Sequence, residues 1–145
     1  MTIIYRPARA DVDDRKFIVA SWLDSYRDAK SAGIIPKAIW YDVMWPIIDA
    51  LVARPRCTTV IAHDTAHDVL VGFASMEPGD RRPVLHYVYV KAPYRRGGIA
   101  WSMLKMIDVD PTAPFDYTCS TPMQMFLRDK IPHARWEPWQ ARNPS

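Results

Sequence analysis

The sequence is poor in the residues that several familiar ways of building or placing a protein require. Its 145 residues include two cysteines, Cys57 and Cys119. Two are too few for a disulfide framework, and no CxxC pair or His/Cys cluster has the spacing of a zinc site. No apolar run approaches the ~20 residues that span a bilayer, and the opening MTIIYRPAR lacks the long apolar region of a secretory signal. These absences lead us to expect a reduced, cytoplasmic protein with no membrane segment and no metal. Net charge is +3, from 19 basic and 16 acidic residues, short of the strongly basic balance of a nucleic-acid-binding domain. Glycine is scarce at five residues, two of them adjacent at Gly97 and Gly98. Internal repeats and low-complexity segments are absent. Proline and tryptophan, by contrast, are plentiful at thirteen and six, and the prolines punctuate element ends and the last third. At 49% apolar and 24% charged residues, residues 1–145 have the composition of one globular domain with one core.

The stretch VLHYVYVKAPYRRGGIAWSML, from Val84 to Leu104, organises the rest. Val84 to Val90 is β-branched and aromatic and reads as a buried strand. Ile99, Met103 and Ile107, with Ala100 and Leu104, follow helical spacing. Between them stand Arg95, Arg96, Gly97 and Gly98. A strand, a tight basic turn and a helix gather unpaired backbone N–H groups at a helix N-terminus, where a phosphate is favoured. The glycines allow close backbone approach and the arginines add charge.

The remaining pattern reads in order. Ile3 to Tyr5 forms a short strand. Asp11 caps a helix carrying Ile18, Trp22, Tyr26 and Ala29, with Asp13 and Asp14 in its first turn. A second helix follows Pro36 through Trp40, Met44, Ile47, Ile48 and Leu51, with a kink or a break expected at Pro46. Thr58–His63 and Val69–Met76 pair as a hairpin around the turn 64–68. After the central strand and third helix come a strand at Phe115–Cys119 and a helix from Thr121 to about Lys130, stopped by Pro132. One short strand then fits between His133 and Trp139.

Arg95-x-x-Gly98-x-Ala100 resembles the R/Q-x-x-G-x-G/A signature of the GNAT N-acetyltransferase superfamily, and Val90 precedes Arg95 by the five residues usual there. Pro93 falls one residue later than the family's proline, which suggests a bulged strand end. The order of elements resembles the GNAT fold over nearly the whole chain. That resemblance implies an α+β, three-layer fold with a mostly antiparallel sheet flanked by helices and splayed between its fourth and fifth strands. It implies acetyl-CoA as co-substrate. Arg95, Arg96, Gly97, Gly98, Ile99 and Ala100 would hold its pyrophosphate, and the main chain of Val88, Tyr89 and Val90 would run beside its pantetheine arm. A backbone N–H among those three would polarise the thioester. Ser120 and Phe126 would also border the donor.

Transfer to an amine needs a base, because an amine of pKa ~10 is protonated at neutral pH. The family often supplies a glutamate from its third or fourth strand. Here the fourth strand has no acid, and the candidates are His86, placed by alternation on the face of Val88 and Val90, Glu77 at the end of the third strand, or a water relay with no single base. Phe126 stands where the family commonly has the tyrosine that protonates the leaving thiolate, which leaves Ser120 or Tyr117 to serve. The acceptor, a small-molecule or protein amine, is expected against the first two helices. Tyr26, Trp40, Tyr41 and Trp45 concentrate there, and adjacent Trp40 and Tyr41 should not both face inward. Trp136 and Trp139 suggest a homodimer contact at the tail. Two rival readings are a GNAT-fold protein that binds acyl-CoA or a partner with weak or no catalysis, and a nucleic-acid module built on Arg81, Arg82, Arg95 and Arg96.

Overall fold

The computed structural model describes residues 2–29, 35–108, 115–118 and 134–136. Strand β1 (Ile3–Pro7) leads to helices α1 (Val12–Ala29) and α2 (Lys37–Val52), then to strands β2 (Thr58–Asp64), β3 (Val69–Pro78) and β4 (Pro83–Val90). A 3-10 turn, Ala92–Tyr94, precedes α3 (Ile99–Met106), β5 (Phe115–Tyr117) and β6 (Ala134–Trp136). The six strands lie in sequence order in one sheet. Neighbours are antiparallel from β1 to β4, and the β4–β5 and β5–β6 pairs are parallel.

Each face of the sheet carries its own apolar cluster. On one side Ile18, Val19, Trp22 and Leu23 of α1 and Ile48 and Leu51 of α2 pack with Ile61, Phe73 and Tyr87. On the other, Ile99, Met103 and Leu104 of α3 meet Val60, Ala74, Leu85, Val88 and Val90. The three layers follow from the two periodicities, 2 along the strands and 3.6 along the helices. The start of α1 is fixed to β1 by a bidentate pair, Arg6 to Asp14 at 2.6 and 2.9 Å, while Asp11 accepts the Asp14 N–H at 2.9 Å as its cap. Among the described residues, no helix is long and apolar enough to cross a membrane.

Three expectations need correction. First, of the kink or break expected at Pro46, the break does not occur: α2 continues through it as one helix. Pro46 and Asp42 both face solvent, so water can satisfy the carbonyl that loses its donor, while Ile48 and Leu51 stay buried. Second, the chain leaves β4 by the 3-10 turn around Pro93 and not by a bulged strand end. Third, Trp40 and Tyr41 both turn to α1: the Trp40 Nε1–H donates to the Leu23 carbonyl at 3.0 Å and the Tyr41 hydroxyl to Asp24 Oδ1 at 2.6 Å. Their apolar bodies are half-buried while their polar tips reach out, so adjacent residues can flank one seam. The expected last helix, with Phe126, and also Cys119, Ser120 and Trp139, lies outside the described residues.

Pairing of β4 with β5 is confined to Val84↔Asp116 and Leu85↔Tyr117, followed by the Thr118 N–H to the Leu85 carbonyl at 3.1 Å. Beyond Leu85, no described residue pairs with that side of β4, and the sheet is splayed there. Behind the splay, β3 and β4 are held unusually close by Gly72, where an added Cβ would lie 2.6 Å from the Tyr89 carbonyl oxygen. Gly72→Ala should therefore force these strands apart at a cost of about 1–3 kcal/mol. A fall in the urea midpoint measures it, and an unchanged midpoint would contradict this packing.

Candidate active site

Two groups of residues converge on the open side of β4. The first is the basic turn at its end. Arg96 adopts φ 68° and Gly98 φ 81°, and Gly98 caps α3 in the left-handed conformation. A Cβ at Gly98 would meet nothing within 4 Å. Backbone conformation, and not space, therefore calls for glycine there. Among the described residues, the N–H groups of Arg96, Gly97, Gly98, Ile99 and Ala100 find no carbonyl or side-chain acceptor. They gather as a cradle of N–H donors at a helix N-terminus, an arrangement that favours an anion. The Arg95 Nε–H donates to the Val90 carbonyl at 2.8 Å, which ties the turn to the strand and leaves the terminal nitrogens at the exposed surface. On the other flank the Tyr94 hydroxyl donates to buried Asp64 at 2.8 Å, a bond that helps hold the Asp64 carboxyl below its usual range. Asp64 and Tyr94 thus brace the cradle, a role that nothing in their local sequence signals.

The second group begins with an irregularity in β4. Tyr87 lies opposite Ser75 and Leu85 opposite Met76, so His86 is an extra residue with no partner on β3. This β-bulge overturns the alternation that placed His86 with Val88 and Val90, because Leu85 takes the next position in the α3-side cluster. His86 turns to Glu77, its Nε2 lying 2.6 Å from Oε1, and Nδ1 lies 2.9 Å from the Thr118 hydroxyl. Glu77 Oε1 also accepts from Arg54 at 2.7 Å. Glu77 belongs to β3, which extends to Pro78 rather than ending at Met76. The structure therefore brings both candidate bases into one buried chain, Arg54–Glu77–His86–Thr118. Arg54, beyond the end of α2, and Thr118, after β5, are the members that sequence reasoning missed. Tyr117 packs in the α3-side core, and Ser120 lies outside the described residues.

The electrostatics of the chain are directional. Burial pushes the His86 imidazole below its ordinary pKa; the Glu77 hydrogen bond and charge oppose that shift, and the Arg54 charge adds to it. The guanidinium beside Glu77 favours its carboxylate form. A neutral imidazole facing a carboxylate carries its proton on Nε2, which leaves the Nδ1 lone pair toward Thr118.

The four arginines of the nucleic-acid reading are partly occupied, Arg82 lying 3.5 Å from Asp116 and Arg95 bonded to Val90. On the acceptor side, Tyr26 packs edge-on to Trp40 and to Tyr87, while Lys37 pairs with Asp24. Trp45 is half-buried and tilted against Tyr41.

Residues 19–108 match the model of the acetyltransferase (GNAT) family. Among solved structures, the chain resembles the PaiA N-acetyltransferase of Thermoplasma acidophilum, determined with coenzyme A, at 17% identity and TM-score 0.55 over 74% of this chain and 70% of that one. An acetyltransferase from Vibrio fischeri gives 17% identity and TM-score 0.51 over 72% and 83%. A glucosamine N-acetyltransferase region of a fungal multi-domain β-N-acetylglucosaminidase gives 17% identity and TM-score 0.58 over 89% and 17%. At these identities the likeness is one of fold. Comparison with curated proteins gives no significant match.

Burial makes a prediction for the imidazole. A folded pKa below the unfolded one means that the unfolded chain binds the proton first. The contribution of His86 to stability is then fully present above about pH 6.5 and is lost as pH falls through the folded pKa. In an NMR titration, His86 should remain neutral at about pH 6.5, where an ordinary imidazole is half protonated. A His86 midpoint at or above that ordinary imidazole value would contradict this environment.

Proposed function

The chain belongs to the GNAT acetyltransferase family, and from that premise we propose that it transfers the acetyl group of acetyl-CoA to an amine carried by a small molecule or a protein. The observation that carries this reading is the juxtaposition on β4. Among the described residues its edge is open beyond Leu85 and its far end runs into a cradle of unpaired amides, and a His–Glu pair sits where it parts from β5.

Each requirement of the reaction has residues to meet it. The donor's negative charge would be bound by the N–H groups of Arg96, Gly97, Gly98, Ile99 and Ala100, with charge from Arg95 and Arg96. The fit is chemical as well as geometric, since these are donors without acceptors among the described residues, at a positive helix end. Val88, Tyr89 and Val90 would offer main-chain groups to the pantetheine amides, as a sheet edge does to an added strand. One of their N–H groups would stabilise charge developing on the thioester oxygen. The bound donor supplies an activated acyl group, and the protein supplies orientation and proton management. His86 would act as base for the acceptor amine, with Glu77 fixing its tautomer and stabilising the imidazolium that forms. Arg54 compensates the Glu77 charge, so that the pair can be buried without Glu77 taking up a proton.

Thiol release from acetyl-CoA, measured with a panel of amines, peptides and polyamines, tests the proposal. His86→Ala should lower kcat/KM about 10²-fold while affinity for CoA stays within about twofold, because the cradle is untouched. Glu77→Gln should cost more than His86→Ala only if the carboxylate itself takes the proton. CoA binding without turnover of any acceptor would favour a non-catalytic acyl-CoA-binding protein instead.

A further inference from the structure

The base proposed above cannot reach a substrate directly. His86 has 0% of its surface exposed. Nε2 is committed to Glu77, and Nδ1 lies against a hydroxyl at 2.9 Å. That hydroxyl belongs to the residue just past the last β4–β5 pair, whose own N–H donates to the Leu85 carbonyl. Thr118 therefore stands where the two strands part, at the end of the open β4 edge opposite the anion cradle. It retains 3% exposure. Among the described residues its proton has two acceptors to choose from, and the geometry favours Nδ1 at 2.9 Å over the His86 carbonyl at 3.5 Å.

We propose that Thr118 is a catalytic proton shuttle, the hydroxyl through which His86 takes the proton of the attacking amine and returns it to the departing sulfur. The inference rests on the acetyl-transfer reading, and its steps balance. The amine attacks in its neutral form, its extra proton having gone to solvent; as the C–N bond forms, the ammonium proton of the adduct passes to Thr118 Oγ1 while the Thr118 proton passes to His86 Nδ1. The imidazolium so formed keeps its Nε2–H on Glu77. As the C–S bond breaks, His86 Nδ1 returns its proton to Thr118 Oγ1, and the Thr118 hydroxyl proton goes to sulfur. The products are the amide and CoA thiol, and every protein group ends in the state in which it began. No oxidant, metal or further reactant is consumed. One Glu–His–Thr chain would thus provide both the base and the acid that the transfer needs, without a separate acid for the thiolate.

The test uses the full chain with acetyl-CoA and whichever amine the wild type turns over. Thr118→Val removes the hydroxyl at nearly constant volume, and Thr118→Ser keeps it. The valine variant should lose about 10²-fold in kcat, the scale of losing a general acid–base group, with KM for acetyl-CoA within about twofold. The serine variant should keep at least about a third of wild-type kcat. A solvent-isotope proton inventory on the wild type should be bowl-shaped, as for two protons moving together, and this readout stands even if the valine variant folds poorly. A valine variant with wild-type kcat overturns the shuttle. So does equal impairment of valine and serine variants, or a linear inventory. Wild-type protein that binds CoA yet acetylates no amine contradicts the acetyl-transfer reading itself, a result distinct from an active wild type indifferent to Thr118.

Discussion

One extra residue in β4 determines what the two faces of the sheet carry. If the strand alternated without interruption, His86 would share the face of Val88 and Val90 and lie in the apolar cluster under α3. There its ring nitrogens would lack partners, at a cost of about 1–3 kcal/mol for each unpaired group. The bulge moves Leu85 into that cluster and gives His86 to Glu77. It also increases local twist, and β4 parts from β5 immediately next to it. A single departure from period two thus accompanies the opening of the sheet and the polar group at its apex.

A buried carboxylate and a buried imidazole are a costly pair to fold. The chain meets the cost with geometry: Arg54 at 2.7 Å and His86 at 2.6 Å share one Glu77 oxygen, with Thr118 on the far nitrogen. Nearby, Thr59 and Ser75 hydroxyls bond each other at 2.9 Å and Cys57 approaches Ser75 at 3.1 Å. Burial raises the Cys57 pKa and keeps its thiol protonated. Polar groups this well partnered hold rigid positions, and rigidity is what proton transfer over hydrogen-bond distances needs.

The tight turn between β4 and α3 was legible in the sequence because its signal is local. A glycine pair between a β-branched run and a helical stripe marks a tight turn into a helix, and Gly98 takes a positive φ there. Strand order and the hairpin were legible for the same reason. His86 and Glu77 were each legible as titratable groups near the central strand, but their contact was not, since alternation pointed His86 to the wrong face. Arg54 and Thr118 had no local signal at all. They meet Glu77 and His86 across 23 and 32 residues of sequence, and only the folded sheet brings them together. Pro46 suggested a kink or a break in α2, and of the two the break is one that solvent exposure makes unnecessary.

The central claim is that the open edge of β4 and the cradle beyond it form one continuous donor site. Amide hydrogen exchange with and without CoA measures this residue by residue. The expected result is slowed exchange at Val88, Tyr89 or Val90 together with the amides from Arg96 to Ala100, while exchange at the far edge of the sheet, in β1, stays unchanged. CoA binding that protects other segments and leaves both of these unaffected would contradict it.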